Sequence, residues 1–220
     1  MWGDGSIGCE GDIVGHFLAL FSLLPFCIIV SFCTLIIFRR DLHTISYFGG
    51  LMLNEVLNWI LKHIIRESRP TARAVLYTEY GMPSSHAQFV WFFATYMLLF
   101  LFIRIYTNYN WIDDLWKYCV GFGGYLAAVI VTYSRVYLGY HTFNQVFCGA
   151  LLGTIFGGSW FCVVQLLLTP MFPFLAASPL GEFFMFRDST LIPHVMWFEY
   201  TSSRAEARSR QRKITARKSQ

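Results

Sequence analysis

From Phe17 to Phe38 the chain runs for 22 residues without an ionisable side chain other than cysteine, and Arg39 and Arg40 close the run. A helix of about 20 apolar residues crosses the hydrocarbon core of a bilayer. In lipid each backbone N–H and C=O must find its partner within the protein, which leaves helices as the solution for such a segment. Further apolar runs cover about Ile45–Ile65, Gln88–Ile103, Tyr118–Thr132 and Val146–Leu168. The whole composition agrees: 55% of the 220 residues are hydrophobic and 14% are charged, against about 25% charged in soluble domains. A disordered chain is excluded, and a water-soluble globular domain does not fit. The expected fold is all-α, a multi-pass transmembrane helical bundle of about five spans filling residues 1–200, with no room for a second folded domain.

Charge orients this bundle. Residues 1–15 are Gly-rich and acidic (Asp4, Glu10, Asp12), and no Lys or Arg precedes Arg39, so a cleaved signal peptide is not indicated. Acid before the first span and base after it place the N-terminus outside the cytosol. Residues 201–220 hold seven Lys/Arg against Glu206 alone and are expected to form a basic cytosolic tail facing anionic lipid rather than nucleic acid. Residues 170–200 are aromatic and interrupted by proline, which suggests an interfacial or re-entrant segment rather than a sixth crossing. The six cysteines show neither a C-x-x-C pair nor a regular spacing, so neither a disulfide framework nor a zinc site is indicated.

Polar residues stand out against this background. Asn54, Glu55 and Asn58 interrupt the second run and are expected to face the bundle interior. Three clusters lie at span ends: Lys62 with Arg66, Arg69 and Pro70; Gly81-Met82-Pro83-Ser84-Ser85-His86; and Ser134-Arg135 with His141. Five spans would bring all three to the non-cytosolic face, the second and third clusters through loops two crossings apart. Lys62, Arg69 and Arg135 offer the ammonium and guanidinium donors that hold phosphate. The helix start at Ser84 and Ser85 offers backbone N–H groups and a positive dipole end. His86 and His141 supply a nucleophile and a proton donor near neutral pH. Alone, an interfacial histidine is usually a packing residue and a Pro-Ser-Ser run is a helix start; together the clusters point to a phosphoryl-transfer site that uses no metal. Arg66 and Arg73 read as solvated loop charges.

These residues resemble the type-2 phosphatidic acid phosphatase superfamily, whose pattern is K-x6-R-P, P-S-G-H and S-R-x5-H-x3-D. Here the motifs read Lys62–Pro70, Pro83–His86 and Ser134–Gln145, with Ser85 in place of Gly and Gln145 in place of Asp. Within the superfamily the chain is similar over almost its whole length to the dolichyl diphosphate phosphatases of the endoplasmic reticulum, through segments such as TLIIFRRDLHTIS and WFEYTSSRAEARSRQRK. The resemblance implies hydrolysis of dolichyl diphosphate to dolichyl phosphate and phosphate at the lumenal face, in support of carrier-lipid recycling for N-glycosylation, with membrane lipids as surroundings and no cofactor. It implies that His141 attacks the terminal phosphorus and forms a phosphohistidine. His86 would protonate the leaving oxygen and later activate water, while Lys62, Arg69, Ser84, Ser85 and Arg135 bind the phosphoryl oxygens. Gln145 one turn after His141 can fix its tautomer but brings no charge; a diphosphate, with its better leaving group, would tolerate a less activated nucleophile. Glu55, about two turns before Lys62, is a second candidate support. Two alternatives remain open: a broader lipid or isoprenoid phosphate phosphatase, and a catalytically inactive lipid-binding protein.

Overall fold

The computed structural model describes residues 13–70, 80–105, 114–192 and 195–218. The acidic N-terminus, Cys9 and Arg73 lie outside them. The helices are α1 (Ile13–Phe21), α2 (Leu24–Arg39), α3 (Leu42–Ile65), α4 (Ser85–Leu99), α5 (Leu115–Tyr137), α6 (Phe143–Val163), α7 (Phe172–Ala176), α8 (Pro179–Phe184) and α9 (Val195–Lys218). A π turn over Phe100–Arg104 extends α4, and a second over Val164–Leu168 extends α6. Four stretches, Ile13–Arg39, Ser85–Arg104, Leu115–Tyr137 and Phe143–Ala176, are long and apolar enough to cross a membrane. The fifth long helix is α3, whose 24 residues span about 36 Å at 1.5 Å per residue. Its apolar character is diluted by Asn54, Glu55, Asn58 and Lys62. The protein is a multi-pass helical membrane bundle.

Two differences from the sequence reading matter for function. The first apolar run breaks at Ser22 and Leu23, with Pro25 in the opening turn of α2; proline has no N–H to donate and starts helices readily. The fourth run extends past Thr132 to Tyr137, so that Ser134 and Arg135 are buried in the last helical turn of α5 rather than in the loop. In line with the expectation, the described residues of 170–192 form no sixth crossing, since α7 and α8 have five and six residues. They pack at the α2–α3 junction, where the Arg187 N–H donates to the Arg40 carbonyl at 2.9 Å and the Leu42 N–H to the Arg187 carbonyl at 3.0 Å. Beyond them α9 runs helical through the boundary expected at residue 200, with an almost wholly exposed surface.

Helices α4 and α6 form the tightest pair. Gly149, Gly153 and Gly157 recur every fourth residue on one face of α6, and a Cβ built at each would lie 2.7 Å from the Ser84 carbonyl oxygen, 2.3 Å from that of Gln88 and 2.9 Å from that of Phe92. Only hydrogen at these positions lets the backbones approach so closely, the usual way helices gain contact where lipid is as apolar as leucine. On the other side of α4, Gln88 is fully buried and bonds α3. Its Nε2 donates to Asn54 Oδ1 at 3.0 Å, and its Oε1 accepts from Asn58 Nδ2 at 2.8 Å. Asn54 and Asn58 face the interior, as expected. Trp160 of α6 donates to the Ser46 carbonyl at 3.0 Å, and Tyr47 of α3 to that of Phe93 at 2.7 Å, so α3, α4 and α6 form one unit.

Gly153→Ala is expected to drive α4 and α6 apart, lowering the melting temperature in detergent by several degrees and turnover with it. Gly158→Ala, where a new Cβ meets nothing within 4 Å, should change neither. A thermal-shift series on the two purified variants checks this, and equal behaviour would count against the packing argument.

Candidate active site

The polar clusters meet at one end of the bundle, where α3 and α5 finish and α4 and α6 begin. Lys62 is in the last turn of α3 and Arg135 in the last turn of α5, both buried. Ser84 caps α4, with Ser85 and His86 in its first turn. His141 is in the α5–α6 connection, 3% exposed. Arg69 follows α3 in the connection to α4 and is partly buried. The charges of Lys62, Arg69 and Arg135 reach both His86 and His141, so two imidazoles share one cationic field.

Each helix end contributes for a local reason. The Ser84 side chain makes no capping bond to its own helix, which leaves the first N–H groups of α4 turned outward with the positive dipole end. Its Oγ is buried without a hydrogen-bond partner among the described residues. An anion at this helix start would satisfy both. Helix α6 begins with a capping box, in which the Gln145 N–H donates to Thr142 Oγ1 and the Thr142 N–H to Gln145 Oε1, each at 3.3 Å. The Thr-x-x-Gln spacing is a sequence signature of that motif.

Gln145 is the junction of the site. It is fully buried, its Oε1 lies 3.1 Å from His141 Nδ1, and its Nε2 donates at 2.9 Å to both Glu67 Oε1 and the Ser68 carbonyl. Its own carbonyl accepts from the Ser84 N–H at 3.1 Å. Because the Thr142 N–H can only donate, the atom facing it is the amide oxygen, and His141 must carry its proton on Nδ1. Nε2 therefore keeps its lone pair. Burial and then the Arg69 charge push His141 down to about 3, with Arg135 and Lys62 adding to the fall and the Gln145 hydrogen bond opposing it. The imidazole is neutral at physiological pH.

The break between α1 and α2 supplies a part the sequence reading missed. Ser22 Oγ lies 3.1 Å from Ser134 Oγ and accepts from Arg135 Nη1 at 3.4 Å, and its backbone lies beside the His86 ring. Phe26 of α2 meets the His86 ring edge-on at 6.3 Å. Pro25 was the available signal for that break. Tyr140, also unremarked, stacks under Arg135, with the guanidinium carbon 4.2 Å from the ring centre. Glu55 is partly buried near Lys62 and bonds neither histidine; its Oε1 has no hydrogen-bond partner among the described residues. Asn58 bonds Gln88 and the Pro83 carbonyl instead of Glu55. Arg66 is exposed and ends α3 in the left-handed region, at φ 54°.

Sequence comparison matches residues 43–168 to the PAP2 superfamily, the stretch that holds all three clusters. The chain belongs to the PAP2 superfamily. Its relatives include dolichyldiphosphatase 1 of Mus musculus, 52% identical over 93% of this chain and 87% of that protein. Lipid phosphate phosphatase gamma of Arabidopsis thaliana is 41% identical, covering 89% and 86%. Among solved structures, the transmembrane PAP2 type phosphatidylglycerolphosphate phosphatase of Bacillus subtilis shares the fold, with a TM-score of 0.58 over 72% of this chain and 80% of that one at 19% identity. As a PAP2 phosphatase the chain is a metal-independent enzyme.

The junction at Gln145 also depends on Gly81, where a Cβ would fall 2.7 Å from Gln145 Nε2. Gly81→Ala is expected to displace the amide and lower kcat by about 10²-fold, with the purified protein still monodisperse and helical. Unchanged kcat in Gly81→Ala would show that Gln145 can shift without consequence.

Proposed function

We propose that this enzyme removes the terminal phosphate of dolichyl diphosphate, giving dolichyl phosphate and inorganic phosphate at the lumenal face of the endoplasmic reticulum, and so returns the carrier lipid to N-glycosylation. The observation that carries the chemistry is the pairing of a Nδ1-protonated, neutral His141 with Lys62, Arg69 and Arg135 around it. Nε2 of His141 attacks the terminal phosphorus; the bond to the bridging oxygen breaks, and dolichyl phosphate leaves with its electron pair. The three cations, Ser84, Ser85 and the α4 N–H groups hold the three phosphoryl oxygens as charge spreads over them. His86 protonates the leaving oxygen where needed and then takes a proton from the water that cleaves the phosphohistidine. The substrate class is supported by the relatives named dolichyldiphosphatase and by an apolar helix surface on which an isoprenoid tail can remain in lipid.

The topology follows the same reading. The site lies at the end of the bundle where α3 finishes, and α9 is held at the opposite end by Arg39 and Arg187 on Glu199. A lumenal site thus goes with a cytosolic tail over residues 201–220, as the basic charge of that segment favours, and with a membrane-embedded phosphatase domain over residues 1–200. Membrane lipids are the surroundings, and nucleic acid is not a partner.

Phosphate release from dolichyl diphosphate by the purified chain, and its loss by at least about 10³-fold in His141→Ala, tests the assignment. Release retained in His141→Ala would overturn it. Dolichyl phosphate and simple phosphate monoesters, whose leaving group is an alkoxide, should turn over far more slowly than the diphosphate. Equal rates across such a lipid panel would favour the broader phosphatase. The acid limb of kcat/KM reports protonation of the free enzyme. Removing a cation eases protonation of His141, so Arg69→Gln should move that limb to higher pH relative to the wild type, and an unmoved limb would count against the charge argument.

A further inference from the structure

We propose that Glu67 is a positioning residue for His141, acting through the side-chain amide of Gln145 to supply the negative charge that position 145 itself lacks. The inference rests on the reading of His141 as the nucleophile. Glu67 follows the α3 C-terminus, between Lys62 and Arg69 of the first cluster, and was not singled out by its sequence. Its Oε1 accepts from Gln145 Nε2 at 2.9 Å, and Gln145 Oε1 in turn lies 3.1 Å from His141 Nδ1. Carboxylate, amide and imidazole are therefore joined in one hydrogen-bonded line from Glu67 to the attacking ring.

The order of atoms in that line is forced. Turning the amide over would set its NH2 against the Thr142 N–H and its oxygen against both Glu67 Oε1 and the Ser68 carbonyl, converting attractive contacts into repulsive ones. With the amide held this way, an anion on its nitrogen side draws the N–H protons and increases the negative charge on Oε1. That oxygen accepts the Nδ1–H of His141, which becomes acidic and positively charged as Nε2 bonds to phosphorus. The carboxylate thus stabilises the imidazolium at one amide's remove, where other nucleophile–base systems place the acid directly on the ring. Lys62, Arg69 and Arg135 face the same imidazole from α3, the α3–α4 connection and α5, and Glu67 is the acidic side chain in line with its Nδ1.

The arrangement also explains why glutamine suits position 145. A carboxylate there would set two acids within about 3 Å of one another, and both cannot stay ionised. Glu67 is itself fixed, because its backbone carbonyl accepts the Gly81 N–H at 2.7 Å. The chain leading into α4 and the chain leaving α3 are thereby tied at the point where the relay begins.

A charge swap tests this on the full-length chain, purified in detergent with dolichyl diphosphate as substrate. Glu67→Gln keeps an acceptor for Gln145 and removes only the charge; kcat should fall by about tenfold with KM nearly unchanged, the mark of an interaction made in the transition state. Gln145→Glu should fall further, because the new acid opposes Glu67 and the Ser68 carbonyl. Combining the two moves the charge one residue nearer His141 and restores an N–H donor between positions 67 and 145, so the double variant should exceed Gln145→Glu by about tenfold. Relief of the acid–acid repulsion alone would also raise the double variant above Gln145→Glu, so a purely structural role is separated by Glu67→Gln, for which it predicts a lower melting temperature or a raised KM rather than a fall in kcat alone. Wild-type kcat in Glu67→Gln, or a double variant no faster than Gln145→Glu, overturns the proposal. His141→Ala run alongside separates the two readings: inactive His141→Ala with unaffected Glu67→Gln refutes only the relay, whereas active His141→Ala removes the nucleophile assignment on which it stands.

Discussion

Close contact between α4 and α6 is the constraint on which the molecule depends. Lipid gives two helices no hydrophobic reason to associate, so they must gain packing contacts that lipid cannot match. Glycine at 149, 153 and 157 lets the α6 backbone lie against the carbonyls of Ser84, Gln88 and Phe92. Those same carbonyls belong to the stretch that begins with Ser84, Ser85 and His86, while α6 begins just after His141. The stripe that joins the helices therefore sets the spacing of the chemistry at their ends.

The polar interior is arranged to match. Gln88 bonds Asn54 and Asn58, and Gln145 bonds His141, Thr142, Glu67 and Ser68, so these buried amides hold several partners each rather than one. In a low-dielectric interior such networks stiffen the structure when their members are satisfied. At the site itself charge is gathered instead, with Lys62, Arg69 and Arg135 set around two imidazoles. On the reading proposed above, a diphosphate head group would meet donors already in place.

Much of this was readable from residues alone. The charge-free run from Phe17, the buried asparagines of the second span and the clusters around Lys62, His86 and His141 announce themselves by type and spacing. Their number and parity place the clusters at one end. Other parts were not announced. Ser22 reads as one more small residue in an apolar run, and Pro25 as a feature of that run; only contact with Ser134, Arg135 and His86 gives the break its meaning. Thr142-x-x-Gln145 is a visible capping signature, yet read from the sequence Gln145 is only a tautomer-fixing amide for His141 that brings no charge. The glycines of α6 were likewise visible, but not what they approach.

Sequence alone determined the membrane class, the helical character of the long apolar runs and the kinds of polar group gathered at one end of them, because burial in lipid and the cost of charge there act residue by residue. Tertiary structure decided which of those groups touch. It set the amide of Gln145 between His141, four residues away, and Glu67, 78 residues away. A hydrogen bond of that reach depends on how two helix ends are packed against each other, and no local pattern in the chain encodes the distance between them.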